Sequence, residues 1–198
     1  MPQTLAKTNQ SGDGRFGSGR VSTGTAERAA YAGKIAHQAI ALAVAECVDP
    51  SGIELARVVA RVLRDQGLQL SYRRSLQAEG LSALGVYWGW FRQPELKLLG
   101  AEVPTGTGRC DLVWEMPDAR ILIDEIKTGS RPGFTWRVDD QVRRYVAAAA
   151  VSYGSSFYGL RVCWLSAPHL SATFDGSLTK IAEGPFYQPV ATGARLHA

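Results

Sequence analysis

The sequence is poor in cysteine and contains no long apolar segment. Its three cysteines, Cys47, Cys110 and Cys163, form no close pair and cannot supply the four thiolates of an iron–sulfur cluster, so we predict none. Their apolar or strand-like surroundings favour buried free thiols. No apolar run is long enough to span a bilayer, and residues 1–19 are too polar for a signal peptide. These features predict a soluble, cytoplasmic protein without a membrane partner.

Neither sign of charge dominates the chain. The 198 residues include 22 Lys and Arg against 18 Asp and Glu, which gives a net charge of +4 and a pI of about 9.1. This mildly basic balance is compatible with a nucleic-acid partner but does not require one. Residues 1–25 are rich in Gly, Ser and Thr and are expected to be flexible. The length of residues 26–198 suits a single domain.

Apolar periodicity and turn residues divide the chain into helices and strands. The predicted helices are residues 26–47, 51–66, 72–91 and 138–153, and the predicted strands are 98–103, 109–115, 120–128 and 160–165. Tight turns make the first three strands an antiparallel meander, and the intervening helix predicts a parallel crossover to the fourth. We therefore expect an α/β fold with a mixed sheet in the order α-β-β-β-α-β and extra N-terminal helices. Residues 167–198 carry no recognisable motif and are expected to add an edge strand or a clasp for a partner.

Three glycines interrupt the pattern of the third predicted helix, and an aromatic cluster follows near its end. The aromatic residues are Tyr87, Trp88, Trp90 and Phe91. Aromatic side chains at such spacing bury against a sheet more often than they form a platform for nucleic-acid bases, so we expect them in the core.

Two acids and a lysine lie on neighbouring strands in the middle of the chain. Side chains alternate along a strand, so Glu125 and Lys127 share one face while Asp124 points to the other. Asp111 on the preceding strand is expected opposite Glu125. Adjacent carboxylates repel each other, and a divalent cation such as Mg²⁺ or Mn²⁺ relieves that repulsion. The alternative is a plain salt bridge between Glu125 and Lys127 on an exposed sheet face.

The order of short motifs resembles the PD-(D/E)xK nuclease superfamily, and specifically its RecB-like exonuclease branch. That branch has G-x-x-D, then (D/E)-x-K-T-G, then Q-x-x-x-Y. Here Gly108-Arg109-Cys110-Asp111 is followed by Glu125-Ile126-Lys127-Thr128-Gly129 and then by Gln141 to Tyr145, within residues 98–165. A helix of the form G-x-x-x-H precedes the sheet in that branch, and Gly33 to His37 has this form. The branch more often carries Asp where Glu125 stands.

The resemblance implies a PD-(D/E)xK core, like that of restriction endonucleases, and a role for each matching residue. His37, Asp111, Glu125 and the backbone carbonyl of Ile126 would hold Mg²⁺ or Mn²⁺. Lys127 would position the attacking water. Asp111, Glu125 and Lys127 would act with Gln141 and Tyr145, which lie one helical turn apart, support the site and contact the nucleic-acid strand.

Several residues keep two interpretations at this stage. His37 also lies on an apolar helix stripe, where a histidine is usually a core residue. Glu102 is either a supporting ligand or an exposed strand acid, and Asp124 is a structural residue behind the site. Arg143 and Arg144 either bind backbone phosphates or are solvent-exposed charges, and Tyr145 is either a residue of the site or a core residue.

The function implied by the resemblance is a Mg²⁺- or Mn²⁺-dependent deoxyribonuclease, with DNA as its partner. One alternative is a catalytically silent module that binds nucleic acid or a protein partner. Another is a nuclease subunit of a larger helicase or defence complex, since the sequence lacks the G-x-x-x-x-G-K-[ST] nucleotide-binding loop. Assembly into a homo-oligomer is also left open.

Overall fold

The computed structural model describes residues 25–48, 51–68, 70–106, 108–129 and 136–185. Within these residues the chain forms four α-helices and six strands. The helices are α1 (Thr25–Ala45), α2 (Gly52–Asp65), α3 (Leu70–Trp90) and α4 (Trp136–Tyr153). The strands are β1 (Lys97–Thr105), β2 (Gly108–Glu115), β3 (Ile121–Lys127), β4 (Phe157–Trp164), β5 (Ala172–Phe174) and β6 (Lys180–Glu183). The expected flexible segment, residues 1–25, lies outside the described residues except for Thr25.

The six strands form one mixed sheet in the order β1-β2-β3-β4-β5-β6. The pair β3–β4 is parallel and the other four neighbouring pairs are antiparallel. Two tight connections produce the β1-β2-β3 meander, and α4 provides the crossover between β3 and β4, because parallel strands need a long connection. The expected α/β class, the mixed sheet and the β-β-β-α-β order are confirmed. The turn-rich tail contributes β5 and β6, of which β6 lies at the edge.

The two faces of the sheet are covered by different helices. Helices α1, α2 and α3 pack on one face, where the core includes Leu112, Trp114 and Leu122. Helix α4 packs on the other face, where Val142, Val146 and Ala149 contact the sheet at residues such as Ile123. Strand β3 is buried on both faces, as expected of a strand covered by helices on either side. Its odd-numbered residues face α4 and its even-numbered residues face the three-helix layer.

A buried ion pair fixes β3 from the side of the three-helix layer. Asp124 and Arg161 are both 0% exposed, and two guanidinium nitrogens lie 2.7 Å from the two carboxylate oxygens. Tyr87 and Trp114 also donate hydrogen bonds to Asp124, at 2.6 Å and 3.0 Å. Such a pair offsets its desolvation cost only when its remaining polar atoms are also bonded, as they are here. Asp124 therefore points away from Glu125, as the alternation of strand residues predicted.

Three local expectations are wrong. Trp90 is 44% exposed, because the buried stripe of α3 passes through Leu84, Tyr87 and Phe91 and leaves position 90 outside it. Cys47 is exposed in the turn after α1, whereas Cys110 and Cys163 are buried free thiols as predicted. The three glycines do not interrupt α3, which is continuous over Leu70–Trp90.

None of the helices in the described part of the chain has the length and apolarity that crossing a bilayer requires.

Candidate metal and phosphodiester site

Three carboxylates, those of Glu102, Asp111 and Glu125, lie on the adjacent strands β1, β2 and β3. The register of β1 and β2 pairs Ala101 with Leu112 and Val103 with Cys110, so Glu102 and Asp111 are the residues between these two pairs. The pairing of β2 with β3 ends at Leu112 and Asp124, and Asp111 and Glu125 are the next residues along the two strands. Side chains directly opposite each other in a sheet are immediate neighbours. Asp111 is therefore near both of the other acids, and its charge acts on Glu125. Among the described residues, however, Glu125 is not part of the close group of ligand atoms that His37, Glu102 and Asp111 form.

Asp111 links the strands to helix α1. Its Oδ1 lies 2.8 Å from His37 Nδ1, and its Oδ2 accepts a 2.6 Å hydrogen bond from the backbone N–H of Ile126. The predicted residues His37, Asp111 and Ile126 are thus together. The N–H of Ile126 contacts Asp111, while the use of its carbonyl as a metal ligand stays a prediction.

Helix α1 approaches the end of β3 closely at Gly33. A Cβ at this position would lie 3.1 Å from Thr128 Oγ1, tighter than an ordinary contact. His37 lies one helical turn after Gly33, so the two residues are on the same side of α1. The glycine therefore allows the approach that carries the imidazole to Asp111, and the G-x-x-x-H pattern has a physical cause.

Glu102 reaches the site through an unusual backbone. Its φ is 51°, in the left-handed region that residues other than glycine rarely adopt. A register shift between Leu98 and Gly100 also distorts β1 just before it. One ligand atom from each of His37, Glu102 and Asp111 lies within 4.8 Å of the other two. The sequence left Glu102 undecided between a ligand and a plain strand acid because strand alternation cannot show such a distortion.

Glu125 belongs to a second hydrogen-bonded group that faces helix α4. Lys127 Nζ donates to Glu125 Oε1 at 2.6 Å and to Gln141 Oε1 at 2.7 Å. Gln141 Nε2 donates to the same Glu125 oxygen at 3.0 Å and to the Tyr145 hydroxyl at 3.2 Å. Four residues predicted from the two motifs therefore form one network. Glu125 Oε2 is buried and has no hydrogen-bond partner in the described structure.

The hairpin between β1 and β2 is in contact with this network at Gly108. A Cβ at Gly108 would lie 2.8 Å from the Tyr145 hydroxyl oxygen and 3.0 Å from its ring. The glycine that begins G-x-x-D and the tyrosine that ends Q-x-x-x-Y are therefore packed against each other. Sequence spacing gave no sign of this contact, because the two residues lie in separate motifs.

The pKa values of Glu125 and His37 are both affected by the Asp111 carboxylate, which lies near each of them. Burial, and then the neighbouring Asp111 carboxylate, raise the pKa of Glu125 to about 7, although Lys127 and His37 act to lower it. Burial alone would lower the pKa of His37, but the hydrogen bond and charge of Asp111 raise it above its ordinary value, with smaller effects from Glu125 and Glu102. The negative charge of Asp111 raises both pKa values, while burial adds to this effect for Glu125 and opposes it for His37.

The group of His37, Glu102 and Asp111 offers two carboxylates and one imidazole as ligands. Carboxylate oxygens suit hard cations such as Mg²⁺ and Mn²⁺, whereas an imidazole is the more usual ligand of Zn²⁺ and other transition metals. The buried Oε2 of Glu125 lacks the stabilisation that a hydrogen bond or a cation would provide. Comparison of the sequence with protein-family models finds no match, and comparison with curated proteins finds none either.

Proposed function

We propose that this protein is a metal-dependent nuclease that hydrolyses DNA phosphodiester bonds, with a PD-(D/E)xK core of the RecB-like type. The observation that carries the proposal is the group formed by His37, Glu102 and Asp111, which lies beside the hydrogen-bonded network of Glu125, Lys127 and Gln141. The β-β-β-α-β order with a parallel β3–β4 pair is compatible with that core.

The residues fit a divalent cation. His37, Asp111, Glu125 and the Ile126 carbonyl would hold Mg²⁺ or Mn²⁺, and Glu102 would add a further oxygen. The unpartnered Oε2 of Glu125 supports this assignment, because a buried carboxylate oxygen is costly unless bonded or coordinated. When bound, the cation supplies Lewis acidity to a phosphodiester oxygen and makes nearby water more acidic.

The chain's own residues would orient the reacting groups. Lys127 holds its ammonium between Glu125 and Gln141, so its charge is fixed in one position from which it can orient a water and stabilise the negative charge of the phosphoryl group. Gln141 is itself held by Tyr145. Asp111 fixes both His37 and the end of β3. Such preorganisation is worth more than the same groups would be in water.

The test is cleavage of linear and circular DNA, single- and double-stranded, in Mg²⁺, in Mn²⁺ and in EDTA, with RNA as a parallel substrate. We expect cleavage of DNA that EDTA abolishes. Asp111→Asn and Lys127→Ala should each lower the rate by at least about 100-fold. Lys97→Ala is the matched control, because Lys97 forms an exposed ion pair with Glu115 on the same sheet.

Thermal unfolding of each variant separates a lost site from a lost fold. Full activity in Asp111→Asn or Lys127→Ala would contradict the assigned roles. DNA binding without cleavage in either metal would favour a silent binding module instead.

A further inference from the structure

Most cationic side chains in the described part of the chain are paired with an acid. The paired residues lie on both helices and strands, and their partners are mostly near in sequence or in an adjacent element. They are Arg28, Arg57, Arg61, Arg64, Lys97, Arg120, Lys127, Arg161 and Lys180. The other seven Lys and Arg residues whose side chains the structure describes form no ion pair with an acid.

Within the described residues, four exposed cations have no hydrogen bond, ion pair or ring contact: Lys34, Arg74, Arg109 and Arg143. Arg144 is also exposed, and its Nε donates only to the Asp140 carbonyl of its own helix, at 3.3 Å. All of these except Arg74 lie within three residues of a residue of the proposed site.

Helix geometry separates the two arginines of α4. Successive residues are about 100° apart around a helix. Arg144 is three residues after Gln141 and therefore lies about 60° from it, on the side away from the buried stripe of Val142 and Ala149. Arg143 is two residues after Gln141 and lies about 160° from it. Arg144 is thus at the rim of the site, and Arg143 is on the far side of the helix.

Lys34 and Arg109 have corresponding positions on two other elements. Lys34 is three residues before His37 on α1, about 60° from it and outward from the core. Arg109 is two residues before Asp111 on β2, so strand alternation places it on the same sheet face, toward the open hairpin end. The exposed sides of His37, Asp111 and Gln141 therefore each have a cation beside them.

We propose that Lys34, Arg109 and Arg144 bind backbone phosphates of the nucleic-acid strand on either side of the phosphodiester that enters the site. This inference rests on the proposed function. The reason is electrostatic: three carboxylates repel a polyanion, and the ammonium of Lys127 is already shared between Glu125 and Gln141. Cations at the rim supply the attraction that the centre lacks, and they recognise phosphate rather than base.

The adjacent arginines provide the experiment. Binding of a 5′-fluorescein-labelled single-stranded DNA oligonucleotide is measured by anisotropy in EDTA, and again in Ca²⁺, over a range of salt concentrations. Arg144→Ala should weaken binding several-fold and reduce the slope of log K against log salt by about 0.7, the value for one phosphate contact on a single strand. Arg143→Ala removes the same charge from the neighbouring position and should change neither quantity. Lys34→Ala and Arg109→Ala should behave like Arg144→Ala.

Equal losses in Arg143→Ala and Arg144→Ala would overturn the proposal, because the effect would then be one of net charge. No loss in Arg144→Ala would overturn it too. A failure of the phosphate-binding proposal can be distinguished from a failure of the proposed nuclease function. Binding that depends on Arg144 without any cleavage in Mg²⁺ or Mn²⁺ supports the phosphate contacts and refutes the nuclease activity. DNA cleavage that Arg144→Ala leaves unchanged would support the nuclease activity and refute the phosphate contact of Arg144.

Discussion

The metal-free protein should become less stable as the pH rises, and Glu125→Gln should remove much of that loss. The pKa of Glu125 rises from 4.5 to about 7, chiefly by burial and then by the nearby Asp111 carboxylate. Between these pH values the folded protein keeps a proton that the unfolded chain has released, so the free energy of unfolding falls as pH increases. The raised pKa of His37 acts in the same direction, because its stabilising proton is lost as the pH rises through the folded-state pKa.

The magnitude follows from the same shift. A change from 4.5 to about 7 corresponds to a destabilisation of about 3 kcal/mol once Glu125 is ionised in the folded state. Glutamine keeps an oxygen that accepts hydrogen bonds from Lys127 and Gln141 but carries no charge. At pH 8 in EDTA, Glu125→Gln should therefore exceed the wild type in unfolding free energy by up to about 3 kcal/mol. At pH 5 the two proteins should be nearly equal.

Urea unfolding followed by circular dichroism at pH 5, 6, 7 and 8 measures this difference directly. Glu115→Gln is the control, because Glu115 is a partly exposed acid in a surface ion pair with Lys97 and should change stability by less than about 1 kcal/mol at every pH. If Glu125→Gln were less stable than the wild type at pH 8, or if the difference were independent of pH, the buried ionised carboxylate would not be the source of the effect.

Three further predictions concern the metal, the buried ion pair and the hairpin glycine. Mn²⁺ at 100 times its dissociation constant should stabilise the wild type at pH 8 by about 2.7 kcal/mol, measured by urea unfolding; an unchanged midpoint would argue against a metal site. Arg161→Met should lower the free energy of unfolding by about 3–5 kcal/mol, because it leaves a buried carboxylate without its cation. Lys97→Met should lower it by less than about 1 kcal/mol. Equal losses in the two variants would contradict this reasoning. Gly108→Ala should lower the cleavage rate by displacing Tyr145, while Gly106→Ala, with no atom within 4 Å of the added Cβ, should leave it unchanged. Equal activities of the two glycine variants would show that the Tyr145 contact is unimportant.

The strands around the site were predictable because their signals are local. Turn residues at 104–108 and 116–119 separate the β-prone runs, and strand alternation then decides that Glu125 and Lys127 share a face. Helix α2 is predictable for the same reason: its buried residues recur every three or four positions, and it ends just before Gly67, whose φ is 65°. Hydrophobic periodicity is sufficient for elements of this kind.

The features that sequence could not predict depend on backbone distortion or on contacts between distant segments. Glu102 comes close to His37 and Asp111 because its φ is 51° and a register shift precedes it, and the residue type predicts neither feature. The exposure of Trp90 depends on which stripe of α3 meets the core. The pairing of Asp124 with Arg161 joins β3 to β4 across 37 positions of sequence. Each of these is decided by tertiary packing.

The glycines of the motifs are as informative about the site as its charged residues. Gly33 lets α1 approach Thr128 and so brings His37 to Asp111, and Gly108 leaves room for Tyr145, which holds Gln141. In both cases a side chain on one element occupies the space that a Cβ would take on another. A substitution at Gly33 would therefore act on the proposed metal ligands His37 and Asp111, and one at Gly108 on Lys127 through Tyr145 and Gln141, without direct contact. This coupling explains why a glycine and a polar residue occur at fixed spacing in Gly33–His37 and Gly108–Asp111. The glycine determines how closely two elements approach each other, and the polar residue makes its contacts at that distance.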